Sequence, residues 1–310
     1  MSRAPGSPQL GVLGVGDSLT FEPVANVLSL LLGLNINVVL LNWDELAVQD
    51  PISWPKCDVL LVLSHPSIRL DRVRSYVDRI GAVELNSTQG LELLRDRGAM
   101  YRQCAKFGIP VPEWVECYRE SYSEPLSFIE ETDRVIINGV TIDKPFVEKP
   151  RLSEDHAVYV YFPQSAGGGR MRIAKRERSF EPISQVRTQG SFVYQKFVAS
   201  EGFETKLYAI GTEYVHAEAV PSRINADHQT AGKAIPVYLK PQERLIPVKV
   251  GLAFGITVFK VHVLRTQPKN SVLFDISVGR TCVGKKDAEY FQDFAASLVA
   301  EIGKRITRNF

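Results

Sequence analysis

Pro145-Phe146-Val147-Glu148-Lys149-Pro150, followed by Ser153-Glu154-Asp155-His156 and then Ser165-Ala166-Gly167-Gly168-Gly169, is the stretch on which the fold turns. A lysine at the end of an apolar strand, facing a triple-glycine loop, predicts a phosphate cradle. Glycine lets backbone N–H groups approach the phosphates while the ammonium offsets their charge. An edge-strand lysine and an ordinary hairpin turn are the other reading of the same residues, and the pattern alone leaves both open. Immediately beyond stand Arg170, Arg172, Lys175, Arg176 and Arg178, five cations in nine residues. On an alternating strand Arg170, Arg172 and Arg176 share parity and line one face. A solvated face would account for them; their place just past a phosphate loop favours a site for a highly phosphorylated acceptor.

Upstream, the first third alternates strand and helix patterns: strands at Gly11 to Val15, Asn37 to Leu41 and Asp58 to Leu63, helices near Val24 to Leu32 and Leu70 to Arg79. This βαβ rhythm predicts a parallel sheet. Gly14-Val15-Gly16 after the first strand lacks the third glycine of a dinucleotide fingerprint and is set aside. Helices are expected over Asn86 to Arg95 and Arg97 to Phe107, where Ile109-Pro110-Val111-Pro112 stops the second. From Val115 onward short alternating strands predict an antiparallel lobe, with Asn138-Gly139 as a hairpin turn. The last part carries a helix near Pro241 to Phe254, strands at Thr257 to Leu264 and Val272 to Ile276, and a helix near Asp287 to Ile306.

The 310 residues, 45% hydrophobic and 23% charged with 22 Gly and 18 Pro, match a folded globular protein. A net charge of +2 leaves no basic excess for nucleic acid, so any polyanion site must be local. Cys57, Cys104, Cys117 and Cys282 are too scattered for a zinc site or a disulfide scaffold and read as reduced thiols. Met1 to Gln9 has no apolar core of a signal peptide, and no run of about 18 apolar residues suggests a membrane span. A cytosolic location is the expectation.

The segment Lys144 to Lys175, with Lys-Pro-Phe-Val-Glu-Lys-Pro, Glu-Asp-His, Val-Tyr-Val-Tyr-Phe-Pro and Ser-Ala-Gly-Gly-Gly, resembles the kinase domain of the diphosphoinositol pentakisphosphate kinases. The similarity takes in Trp54-Pro55-Lys56-Cys57-Asp58, Asp96-Arg97, Val186 to Ser191, His216-Ala217-Glu218-Ala219 and Val263-Leu264-Arg265, in the same order over nearly the whole chain. The resemblance implies an ATP-grasp fold of α/β and α+β class: a disordered start over 1–9, an N-terminal parallel α/β lobe over 10–112, and two α+β lobes, 113–198 and 199–310, that sandwich the nucleotide. It implies ATP and Mg2+ as cofactors and transfer of a phosphoryl group to inositol hexakisphosphate or diphosphoinositol pentakisphosphate, making inositol pyrophosphates. Family members often continue into a phosphatase-like domain; the 310 residues have none, and their activity is expected to be unopposed within them.

Carried over by position, Arg97, Lys149, His156 and Lys206 contact ATP phosphates, Glu204 lies near the ribose, and Tyr194 to Val198, with Gln195 and Phe197, forms the hinge against adenine. Lys175 and Arg176 reach the transferring or acceptor phosphates, with Arg170, Arg172 and Lys285 as further acceptor cations. The metal positions read His262, Asp275 and Ser277, where the family pattern has Asp, Asp and Asn. One carboxylate remains, and an imidazole suits magnesium poorly. Acceptor cations are also missing at Gly16-Asp17-Ser18, Val220, Pro221 and Ala234. Lys233 stands beside Ala234, and Arg223, Arg280, Lys285 and Lys286 could compensate from new directions. A kinase using direct transfer through Lys149, Lys175, Arg176, Lys206 and Asp275 is the leading reading. A pseudokinase that senses ATP or inositol phosphate is the second, and a carboxylate ligase the third.

Overall fold

A computed structural model of the chain describes residues 7–120, 126–155, 157–174, 177–200, 202–222, 234–266, 270–284 and 287–308. Near the N-terminus come β1 (Gln9–Gly14), α1 (Gly16–Leu19), α2 (Glu22–Gly33), β2 (Asn37–Asn42), α3 (Trp43–Leu46), β3 (Val59–Val62), α4 (Leu70–Ile80) and β4 (Val83–Glu84). The four strands form a parallel sheet in the order β2-β1-β3-β4. Parallel strands must be covered on both faces, which is why β1 and β3 read as unbroken apolar runs. Leu10, Val12, Val59 and Leu61 face α2 and the C-terminal helix, whereas Leu13, Leu60 and Val62 face a second core shared with the rest of the molecule.

The expected helix pair is α5 (Thr88–Arg95) and α6 (Arg97–Lys106). Ser87 and Asp96 cap them, each side chain accepting a hydrogen bond from an amide three residues on. Gly90 allows α5 to pack closely, because a Cβ there would meet the Phe254 carbonyl oxygen.

Next come β5 (Trp114–Cys117), a three-stranded meander of β6 (Phe128–Glu130), β7 (Arg134–Ile137) and β8 (Val140–Asp143), then β9 (Phe146–Pro150), β10 (Val158–Tyr161), β11 (Arg170–Ala174), β12 (Glu177–Glu181) and β13 (Phe192–Lys196). A six-stranded antiparallel sheet results, ordered β12-β11-β10-β9-β13-β5. Its two faces differ in kind. Phe146, Glu148, Tyr159 and Tyr161 project to one side, where buried Glu148 accepts hydrogen bonds from the Tyr194 hydroxyl at 2.7 Å and from Arg187 Nε at 2.5 Å. Val147 and Lys149, of opposite parity, point the other way.

The remaining elements are β14 (Phe203–Ile210), β15 (Tyr214–Pro221), β16 (Ile235–Pro236), α7 (Pro241–Phe254), β17 (Val258–Thr266), β18 (Asn270–Ser277) and α8 (Ala288–Arg308). The strands form a five-stranded sheet, β16-β15-β14-β17-β18. Helix α8 returns to the first lobe, laying Phe291, Phe294, Leu298 and Ile302 against Val24, Val27 and Leu31 of α2. The four cysteines are buried and free. No helix among the described residues is long and apolar enough to cross a membrane.

One buried side chain joins the first lobe to the last. Asn86 accepts from the amides of Thr257 and Val258 at 2.8 and 2.9 Å and donates to the Val258 carbonyl at 2.9 Å. Replacing it by alanine strands two buried amide donors, so Asn86→Ala should lower unfolding free energy by about 2–4 kcal/mol, read from a urea melt.

Candidate nucleotide site

A cavity of about 540 Å³ lies between the second face of the six-stranded sheet and the end of the five-stranded sheet. Val147, Val158, Val160 and Ile173 give it an apolar wall, and Gln195, Phe197, Val198, Ala199 and Ser200 form the strip joining the two sheets. Lys260, His262, Phe274, Asp275 and Ser277 make the opposite wall. A volume of this size suits a nucleotide-sized ligand, and an apolar slot beside a charged end suits a molecule with a flat ring at one end and anions at the other.

Lys149 sits where the two walls meet. Its ammonium is buried and donates to the Tyr101 hydroxyl at 3.0 Å and to the Phe274 carbonyl at 2.9 Å. The Tyr101 hydroxyl donates in turn to Gln195 Oε1 at 2.6 Å. Burial pushes the Lys149 pKa down to about 7; the Asp275 charge opposes that shift and Arg97 adds to it. An ammonium held this way, with neutral partners and a carboxylate close by, is under-neutralised and ready for an anion. Arg97 is buried beside it and uses Nη1 to fix the β9–β10 connection, donating to the carbonyls of Pro150 at 2.9 Å and Leu152 at 2.8 Å.

On the opposite wall the register of β17 and β18 sets Lys260 against Ser277 and His262 against Asp275. Lys260 and His262, two residues apart, share a face. His262 lies 3.7 Å from Glu204 through Nδ1 and edge-on to Phe274. That geometry resembles an ion pair, but burial outweighs the attraction of Glu204 and lowers the imidazole pKa, so the ring is neutral at pH 7. Lys260 is also buried, and desolvation with the nearby Lys206 brings its pKa down to about 8. Lys206 lies 3.9 Å from Glu204, beside the cavity rather than in its lining.

The donor set does not match magnesium. That ion takes hard oxygen ligands in near-octahedral order. Here the wall offers one Asp, a neutral imidazole, a hydroxyl and an ammonium, with Glu204 3.7 Å from the imidazole. Among the described residues no group of three His, Cys, Asp or Glu side chains is placed to hold a metal ion.

Several other expected residues fall elsewhere. Arg170 and Arg172 stand on the face of β11 that carries Tyr159 and Tyr161, opposite the cavity wall. Arg170 pairs with Glu181 at 2.7 Å and lies over Tyr159. Gly167, Gly168 and Gly169 all take positive φ, and a Cβ on Gly169 would strike Phe180, yet none of the three lines the cavity. The Gly169 amide donates to Ser184 instead. The expectations for His156, Lys175, Arg176, Arg223, Lys233, Lys285 and Lys286 lie outside the described residues. Sequence reasoning misses Tyr101 and Lys260. The parity of Lys260 with His262 in an otherwise apolar strand is a signal that could have found it; Tyr101 gives none, because its hydrogen bond with Lys149 is long-range.

Two α+β lobes closing on such a cavity, behind a parallel α/β lobe, define an ATP-grasp fold. Solved structures of that fold superpose on nearly the whole chain. D-Alanine–D-alanine ligase from Bacillus anthracis complexed with ATP matches 97% of this chain and 98% of its own with a TM-score of 0.62 at 13% identity. The RimK domain ATP-grasp protein of Sphaerobacter thermophilus matches 94% and 99% with a TM-score of 0.56, also at 13% identity.

In sequence the chain is similar to the inositol hexakisphosphate and diphosphoinositol-pentakisphosphate kinases. It is 30% identical to kinase 1 of Rattus norvegicus over 99% of this chain and 32% identical to the kinase VIP1 of Arabidopsis thaliana over 94%. The alignments span 22% and 28% of those proteins' lengths. No family model matches the chain.

Proposed function

We propose that the cleft binds ATP and that the chain is a phosphotransferase acting on an inositol polyphosphate, inositol hexakisphosphate or its diphospho derivative. The observation that carries this reading is the juxtaposition of Lys149, Arg97 and Asp275 at the charged end of one cavity whose other end is an apolar slot. Adenine would lie against Val147, Val160 and the strip from Gln195 to Val198. The Gln195 side chain is tied to Tyr101, so base recognition falls to the main chain of the strip. Glu204 would meet the ribose. Lys149 and Arg97 would receive the phosphates with charge-assisted hydrogen bonds and steady charge on the transferred group.

Lys175, Arg176 and Lys285 remain the candidates for the acceptor phosphates, with Lys206 beside the transfer point. Lys175 follows the cavity-lining Ile173 by two residues. Arg170 and Arg172 are left out of this role by their orientation. Purified chain incubated with γ-labelled ATP and inositol hexakisphosphate should yield a labelled inositol pyrophosphate; labelled product from neither that acceptor nor its diphospho derivative would refute the transferase reading.

The wall carrying Lys260 and His262 favours a second reading, in which ATP or inositol phosphate is bound without turnover. A thermal shift with ATP, in the absence of any label transfer, is the result that separates the two. The lobes 10–112, 113–198 and 199–310 are proposed as its structural units, with the cavity between the last two.

A further inference from the structure

We propose that Lys260 stands in for a metal ion: its ammonium takes the nucleotide's phosphate tail directly, so the chain binds nucleotide without a divalent cation. The proposal rests on the reading of the cleft as a nucleotide site and goes beyond it. Four observations converge. Lys260 lines the cavity on the wall that carries His262, Asp275 and Ser277, and only 7% of it is exposed. Among the described residues its ammonium has one hydrogen-bond acceptor, the Thr281 carbonyl at 3.5 Å, besides the Tyr208 ring face at 5.8 Å. Donors are therefore left for a ligand.

Third, Asp275 interacts electrostatically with both Lys149 and Lys260, and Glu204 with Lys260 and His262, so the carboxylates at this end of the cavity already face basic side chains. A divalent ion beside Asp275 would meet those like charges in a site with little water to screen them. Fourth, the cavity is lined by Arg97, Lys149 and Lys260 against Glu204 and Asp275. Such a set already opposes the charge of a polyphosphate. An ion-binding site would need the reverse balance, with carboxylates in excess. A buried ammonium with so few partners is costly unless a ligand's oxygens complete its shell.

The test measures ATP affinity by isothermal titration calorimetry on the full chain, in excess magnesium and in excess EDTA. The proposal expects affinities within about threefold of each other for the unaltered chain. Lys260→Met should weaken binding in EDTA by about ten- to a hundredfold, as expected when a charge-assisted hydrogen bond is removed, while Lys260→Arg retains it. Circular dichroism on both variants confirms that they fold. ATP binding that appears only with magnesium overturns the proposal while leaving the nucleotide reading intact. An unchanged EDTA affinity in a folded Lys260→Met variant overturns it too. No binding in either buffer removes the nucleotide reading itself and this proposal with it.

Discussion

Lys149→Met is expected to weaken ATP binding by at least about a hundredfold and, at pH 6, to make the protein more stable. Both effects have one cause. Among the described residues the wild-type ammonium, which is buried, has only the Tyr101 hydroxyl and the Phe274 carbonyl as hydrogen-bond acceptors. A phosphate tail would supply what is missing, and removing a charged hydrogen bond from a buried site costs about 2–3 kcal/mol or more. Without ligand the desolvated charge is a burden on the fold. Its pKa of about 7 lies far below the ordinary lysine value of about 10.4. Below pH 7 both folded and unfolded chains hold the proton, and the full penalty is present. Between about 7 and 10.4 the unfolded chain binds the proton that the folded chain has released, so wild-type stability rises with pH across that window.

Methionine keeps much of the volume and removes the penalty, at the cost of two hydrogen bonds. The variant should gain on the order of 2 kcal/mol at pH 6, or a few degrees in melting temperature, and lose that advantage as pH approaches 10. Melting curves at three pH values check the sign. A Lys149→Met protein that melts lower than wild type at pH 6 and still binds ATP would contradict both halves.

The second large effect concerns the wall opposite. His262→Asp with Ser277→Asn places a second carboxylate and an amide oxygen beside Asp275, and these substitutions should make phosphoryl transfer magnesium-dependent. Neutralising transition-state charge with a metal is worth several kcal/mol, so a gain of about a hundredfold in transfer rate is expected once the site holds the ion. Lys260 works against that gain, because its ammonium lies on the same wall. Adding Lys260→Met to the pair should therefore increase the magnesium response further, and the three changes should be non-additive since the side chains share one face. Rates measured across a magnesium titration test this. An equal, magnesium-independent rate in wild type and both variants would show that the wall does not limit the chemistry.

How much of this is legible in the sequence follows from the range of the interactions. The parallel first lobe, the helix pair before Ile109, the 134–143 hairpin and both late helices are readable because each depends on local periodicity, caps and turns. Helix α7 spans Pro241–Phe254 as expected, since Pro241 starts it and Gly255, at φ +61°, ends it. The short strands β4 and β16, two residues each, leave no periodic trace.

At the site, motif position identifies Lys149 and Asp275, and the structure brings them to one cavity. The cation run is misleading in part. Parity correctly groups Arg170 with Arg172, but parity cannot say which face meets the cleft, and here that face is Val158, Val160 and Ile173. Glu148 and Lys149 show the same rule from the other side: adjacent charged residues, one sunk among tyrosines and one turned to the cavity. Lys260 is harder to read, because an isolated lysine in an apolar strand has no motif; its parity with His262 is the hint the sequence holds, and the pairing of β14, β17 and β18 reveals its neighbours.

The most direct measurement is a crystal structure of the chain with a non-hydrolysable ATP analogue. The account predicts the phosphate tail between Lys149 and Asp275, with an oxygen within about 3 Å of the Lys149 ammonium and the adenine ring against Val147 and Phe197. A nucleotide bound anywhere else, or an analogue whose phosphates point out of the cleft with the Lys149 ammonium untouched, would contradict it.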